Sequence, residues 1–308
     1  MVALHRWLTA LLVLTAAGSA PLRAASPDDP HVLVIGRISD NPKAHYEQLK
    51  PLLDYVVPRM ADVGIREGRI LMAHDAQQMR SYLRRGRVDW VTETAGTAMM
   101  LANGAGAKPL LLTERDGVSR YATVFFARRD SGIGSLADLR GRAVAFQNPY
   151  STSAYYVPAT ELVDAGLKLE ILLSPADRPA RDTVGYLFAR TELNIATWVH
   201  KRLVDVGVMS NLDWENPQRL PLAFRSDLKV IHETTDYPRA LEMVRGDLDP
   251  KVEARLREVL LEAAADPDAR EALLQFFKTT RFLPIDPQAR DALQYIGAGV
   301  QRIRAEVE

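Results

Sequence analysis

Short apolar runs alternate along this chain with longer stretches in which apolar residues recur at helical spacing. Residues 31–36 (HVLVIG) read as a buried first strand. Residues 42–60 read as a helical region, with Tyr46, Leu49, Leu52, Leu53 and Val56 on recurring apolar positions. A second strand is predicted over 70–73, a helix over 77–85 and a third strand over 88–91 (VDWV). That strand leads through Thr92, Glu93 and Thr94 into a helix of small residues over 95–102. Alternating strands and helices predict a mainly parallel α/β sheet, and ligands of such sheets sit outside the carboxyl ends of the strands. Further strands are expected over 121–128 (YATVFFAR), 169–173, 205–209 (DVGVM) and 228–232, with a helix over 193–201. The remainder reads as largely helical, most clearly over 252–265 and 269–277.

The most informative stretch is 135–158, SLADLRGRAVAFQNPYSTSAYYVP. Residues 142–146 (RAVAF) form a strand-like run that Gln147, Asn148 and Pro149 break. Ser151, Thr152 and Ser153 then open a segment whose apolar residues predict a helix. A strand feeding a tight turn and a helix that begins Ser-Thr-Ser gathers free N–H groups, hydroxyls and the positive end of the helix dipole. Such a point can cradle an anion. The alternative is that one hydroxyl simply caps the helix.

Composition adds bounds. The chain has 308 residues, 47% of them hydrophobic, which is enough for a sizeable core or two lobes. Lys+Arg and Asp+Glu are balanced at 39 each, which argues against a nucleic-acid protein relying on bulk charge. His5 and Arg6 precede an apolar run over 7–17, and small residues follow at Gly18, Ser19, Ala20, Ala24 and Ala25. This is the layout of a cleaved secretory signal over 1–24, with an uncleaved anchor as its alternative. Cleavage would remove Arg6 and Arg23 and no acid, leaving the acids two in excess. Absence of cysteine excludes disulfides, thiolate metal sites, a cysteine nucleophile and a lipoprotein anchor. The six histidines show no metal-ligand spacing, and neither a G-x-S-x-G elbow nor a phosphate-binding P-loop occurs. No cofactor, metal or catalytic step is therefore expected.

Several pieces in order carry a resemblance: Arg129-Asp130-Ser131-Gly132-Ile133, Ser135-Leu136-Ala137-Asp138-Leu139-Arg140-Gly141, Val144-Ala145-Phe146, Ser151-Thr152-Ser153 and Pro158. With these the chain resembles the periplasmic solute-binding proteins for phosphonate, phosphite and phosphate that serve ABC transporters. The resemblance implies an α/β, two-lobed, type II-like periplasmic binding fold, with the ligand cleft between lobes joined by a two-segment hinge. It divides the chain into a first lobe begun over 25–121, a second lobe over 122–224, and a return to the first lobe over 225–308. It implies that Ser151, Thr152 and Ser153 grip the oxyanion of a small ligand, which a monomeric periplasmic protein delivers to a membrane permease. A sensor histidine kinase is the alternative audience.

The same resemblance makes Tyr46 and Tyr121 candidates for the cleft wall, against a packing role for each. Glu93 and Thr94 stand where the family usually carries small or neutral residues. The family's ligand-binding histidine has no counterpart, and Glu192 lies near its place. Asp213 matches an acidic position that holds a ligand amine in aminoalkylphosphonate binders. Three carboxylates repel a plain dianion and suit a zwitterion. The alternative is that Glu93 caps a helix, Glu192 is solvated and Asp213 is a turn residue.

Overall fold

The computed structural model describes residues 29–307, so the expected signal segment lies outside the described residues. The first lobe opens with β1 (Val32–Ile38), α1 (Pro42–Val56), β2 (Glu67–Ala73), α2 (Ala76–Arg84), β3 (Trp90–Glu93), α3 (Ala95–Ala105) and β4 (Lys108–Arg115). Strand β5 (Arg120–Tyr121) crosses to the second lobe. There follow β6 (Thr123–Arg128), β7 (Ala143–Phe146), α4 (Val157–Asp164), β8 (Lys168–Ile171), β9 (Thr183–Phe188), α5 (Glu192–His200), β10 (Val206–Ser210), α6 (Asn211–Trp214), α7 (Leu222–Arg225) and β11 (Leu228–Glu233). Strand β12 (Tyr237–Pro238) pairs antiparallel with β5 as the chain returns. The first lobe is completed by β13 (Leu241–Val244), α8 (Pro250–Glu262), α9 (Arg270–Gln275), β14 (Thr279–Leu283) and α10 (Pro287–Glu306).

Each lobe is built on a six-stranded sheet, ordered β14-β4-β13-β3-β1-β2 and β11-β6-β10-β7-β9-β8. Both sheets are mixed rather than mainly parallel. In the first, β13 runs antiparallel to β3 and β4, and β14 antiparallel to β4. In the second, β6 runs antiparallel to β10 and β11. In the first sheet the antiparallel members β4 and β13 are ones the apolar pattern hid: β4 carries Pro109 and charged ends, and β13 carries Glu242 inside a four-residue strand. The expected strand over 121–128 is broken at Ala122, where the hinge pair ends and the second sheet begins. Strand β11, expected in the return segment after Phe224, adds instead to the second sheet beside β6, so that sheet extends to Glu233.

Two apolar clusters hold the molecule. One lies in the first lobe, where Leu49, Leu52, Leu53, Trp90, Leu256 and Phe276 pack between the sheet and α1, α8 and α9. The other passes from Met79 and Met99 in the first lobe, through Ile296 and Val300 of α10, to Phe125, Phe146 and Tyr155 in the second. Helix α10 therefore bridges the lobes. Its Gly299 packs so tightly on α4 that an added Cβ would stand 2.4 Å from Thr160 Oγ1.

Candidate functional site

The two lobes meet at the segments that follow β3 and β7, each of which feeds a helix. In the second lobe Ser151 is the N-cap of the turn Thr152–Tyr156, its side chain accepting the Ala154 N–H at 3.1 Å. The turn is wider than an α-helix, with Ala154 at φ −121° and ψ 22°, before α4 continues regularly. In the first lobe Thr94 is the N-cap of α3 and makes no side-chain cap bond of its own. The cap comes from the other lobe: Thr152 Oγ1 accepts the Gly96 N–H at 2.8 Å and donates to Thr94 Oγ1 at 3.0 Å. Two helix N-termini, one from each lobe, are thus brought together around one hydroxyl that is 2% exposed. Gly96 permits the approach, since a Cβ there would lie 2.9 Å from Thr152 Oγ1.

The third residue of the motif is tied to the hinge. The Tyr121 hydroxyl hydrogen-bonds the Ser153 side chain. Thr123 Oγ1 donates to the Ser153 carbonyl at 2.8 Å and so takes its own second bond, at 2.7 Å, from the Tyr237 hydroxyl. The Tyr121 and Tyr237 rings pack with centroids 4.8 Å apart, tilted by 56°. Burial pushes the Tyr121 hydroxyl up to about 12, against the Ser153 hydrogen bond, so it stays protonated at neutral pH. Tyr121 is therefore a hinge residue that positions Ser153. Thr123 at the start of β6 and Tyr237 on β12, which share this task, carried no signal of it in the sequence.

The three acids do not gather at one point. Glu93 accepts the Ile38 N–H at 3.1 Å, and its other oxygen lies 3.9 Å from Arg37. Glu192 and Asp213 come together in the second lobe around Arg219, at 3.1 and 3.9 Å. Glu192 also accepts from Gln147 Nε2 at 2.5 Å, and Asp213 from Ser210 Oγ at 2.5 Å. Burial, and then the Asp213 carboxylate, raise the Glu192 carboxyl above its ordinary value. Each acid has an arginine near it. Tyr46 is 48% exposed on α1 and does not pack in the core.

A cluster of arginines lies beside this junction, and nothing in the sequence pattern singled it out. Arg37 on β1 donates to the Thr92 carbonyl at 2.8 Å, and Arg115 at the end of β4 donates to Thr92 Oγ1 at 3.3 Å. Thr92 Oγ1 passes its proton on to Glu242, which also receives Trp90 Nε1 and Thr113 Oγ1. Burial raises the Glu242 carboxyl, opposed by these donors and by Arg115.

Comparison with known proteins agrees with this architecture. The family model for the ABC transporter, phosphonate, periplasmic substrate-binding protein matches residues 35–289. XAC2383 from Xanthomonas citri, solved bound to chloride ion and bound to ATP, is 57% identical, with a TM-score of 0.84 over 90% of this chain and 100% of that one. PhnD1 from Prochlorococcus marinus, solved with methylphosphonate, has 17% identity and a TM-score of 0.60 over 89% of this chain and 100% of its own. A binding-protein component of an ABC phosphonate transporter from Pseudomonas aeruginosa has 20% identity and a TM-score of 0.59 over 90% and 88% of the two chains. With its two lobes, two-strand hinge and matched family model, this chain belongs to the phosphonate family of periplasmic substrate-binding proteins of ABC transporters.

Proposed function

We propose that this protein captures a phosphate- or phosphonate-bearing organic solute between its lobes and presents the closed, loaded form to a membrane permease without chemical turnover. The observation that carries this reading is the meeting of two helix N-termini, at Thr94–Gly96 and Ser151–Ser153, across the lobe boundary. Both termini favour negative charge, and their N–H groups belong to different lobes, so an oxyanion placed between them draws the lobes together. Thr152 adds the α3 cap only when the lobes meet, which links closure to the same point.

Ser151 and Ser153 keep the loop in shape, through the cap at Ala154 and the hinge network, while Thr94 and Thr152 face each other at the boundary. Glu192 and Asp213 are held by Arg219 on the second-lobe rim, and Glu93 stands next to Arg37. One half-exposed arginine offsets only one of the two second-lobe acids, so that rim still suits a cationic or hydrogen-bond-donating part of the ligand. The 57%-identical relative has been solved with ATP, which makes a nucleotide the first probe to try. In this reading the mature chain begins near Ala24 and works as a monomer in the periplasm.

Titration calorimetry of the periplasmic protein with ATP, AMP, methylphosphonate and inorganic phosphate tests the proposal. Saturable binding of at least one, accompanied by a fall in radius of gyration in solution scattering, is the expected result. Binding of none of them, or hydrolysis of ATP by the pure protein, overturns it.

A further inference from the structure

Phe277 lies just after α9 with φ 52°, followed by Lys278 with φ 55°, so two non-glycine residues in succession hold the left-handed region. The ring so placed meets two guanidinium groups, Arg37 and Arg115, each with its central carbon 4.6 Å from the ring centroid. Arg239, arriving from the hinge, donates to the Arg115 carbonyl at 2.6 Å. Burial, then Arg37, pulls the Arg115 guanidinium down to about 10, still charged at neutral pH, and Arg239 adds to the effect.

The counter-charge is incomplete. Among the described residues Arg115 meets no carboxylate at ion-pairing distance; it reaches Glu242 only through the Thr92 hydroxyl. The Glu242 oxygens already take Trp90, Thr92 and Thr113. Among the described residues Arg37 is ion-paired only with Glu93, at 3.9 Å. The Nε atoms of both arginines are buried without a hydrogen-bond partner. Buried guanidinium groups whose counter-charges stand at 3.9 Å or behind a hydroxyl are incompletely compensated, and a bound anion offsets that cost. An aromatic plate keeps both groups flat and oriented, which suits planar recognition of phosphate oxygens.

Position supplies the rest. Thr92, the shared anchor, stands two residues before Thr94, hence about 7 Å along the strand from the junction of the two helix N-termini. That spacing is on the order of the length of a triphosphate chain. We propose that Arg37 and Arg115, held on Phe277, form a second anion subsite on the first lobe, which takes a further phosphate of a polyphosphorylated organic ligand and selects it over a monophosphate or monophosphonate. This rests on the phosphate-capture reading and goes beyond it in naming the ligand class and the residues that choose it.

The test is calorimetry of the whole mature protein with ATP and AMP, for wild type, Arg37→Gln and Arg115→Gln, with thermal midpoints of the ligand-free proteins. The subsite predicts that wild type binds ATP at least about tenfold tighter than AMP. Each variant should lose about tenfold or more toward ATP while its affinity for AMP changes less than about threefold. The ligand-free midpoint of Arg115→Gln should stay level or rise, because a buried charge with no carboxylate at ion-pairing distance has been removed, while that of Arg37→Gln should fall only slightly, since it also takes the arginine from Glu93. Equal wild-type affinities, variants that bind ATP normally, or ligand-free midpoints lower by about 5 °C or more overturn the subsite and leave the capture reading standing. A wild-type chain that binds neither nucleotide but takes methylphosphonate has the same meaning. Failure to bind any phosphate compound removes both readings together.

Discussion

Thr152 caps a helix that belongs to the other lobe: its Oγ1 takes the Gly96 N–H at 2.8 Å, while Thr94, the local N-cap, leaves that bond unmade. A cap contact is worth about 1 kcal/mol, and here it exists only when the lobes meet. Replacing Thr152 by Ala therefore acts on closure rather than on folding. The expected loss is about fivefold in apparent affinity for any ligand that needs the closed form. Thr152→Ser retains the oxygen and should bind within about twofold of wild type. Calorimetry with each probe, alongside unfolding of the ligand-free variants, reads both quantities. A large fall in ligand-free stability with unchanged affinity would show that the cap serves the fold instead.

Gly96 is the reciprocal side of the same contact. A Cβ at this position stands 2.9 Å from Thr152 Oγ1 and 3.1 Å from Tyr156 Cδ2, both across the lobe boundary. Within its own lobe Ala is the better helix residue, by about 1 kcal/mol. The two effects oppose each other in different states: Gly96→Ala stabilises α3 in the open form and wedges the closed one. We expect ligand-free stability to be level or higher, and ligand-induced compaction in solution scattering to be reduced or lost. Normal compaction with normal affinity would mean that the loop at Thr152 yields easily, and that the close approach has no mechanical role.

Much of this architecture was legible from short patterns. The strand that ends at Phe146, the break at Gln147 to Pro149 and the cap at Ser151 follow from an apolar run, a turn dipeptide and a hydroxyl before a helix. What the pattern could not carry was pairing. Strand β13 is short and carries Glu242, β4 is charged at both ends and carries Pro109, and they exist because each finds an antiparallel neighbour far away in sequence. The same holds for the site. Nothing local distinguishes Thr152, which bridges lobes, from Ser151, which caps its own helix, because the difference lies in Gly96, 56 residues earlier. Arg37, Arg115 and Phe277 lie far apart in sequence, and only the folded sheet brings them to one ring. The acids were conspicuous in sequence for their charge, yet their partners Arg37, Arg219 and Gln147 could not be seen from spacing.

Glu192 gives a pH signature. Its carboxyl is raised above the ordinary 4.5 by burial and by Asp213, against the pull of Arg219 and Gln147. The folded chain then holds this proton more readily than the unfolded chain. Its contribution to stability therefore declines as pH rises from about 4.5 through the folded value. Glu192→Gln removes that decline and keeps an acceptor for Gln147 Nε2. The Arg219 pair that it also removes is half exposed on the arginine side, so its loss should matter little. Urea unfolding at about pH 4 and about pH 7 should show the variant gaining on wild type at the higher pH. A variant that instead loses stability as pH rises would assign Arg219 the larger effect.

The strap formed by α10 is the remaining constraint, and Gly299 is its tightest point. An alanine Cβ there would lie 2.4 Å from Thr160 Oγ1, a hydroxyl that is buried at 2% exposure and already donates to the Tyr156 carbonyl at 2.7 Å. Thr160 cannot turn away without breaking that bond, so α10 must shift, and overpacking of this kind costs about 1–3 kcal/mol. For a chain of this size the midpoint should fall by roughly 2–4 °C per kcal/mol. The double variant Gly299→Ala with Thr160→Ala gives back the space, so the pair should be less destabilised than the sum of the singles. Since α10 packs on α3 as well as α4, displacing it also loosens the register between the lobes that sets Thr152 against Gly96. Gly299→Ala should therefore weaken ligand binding without touching the cleft, and the double variant should recover it. Simple additivity of the two substitutions in both stability and affinity would show that the close contact at Gly299 does not govern how the lobes meet.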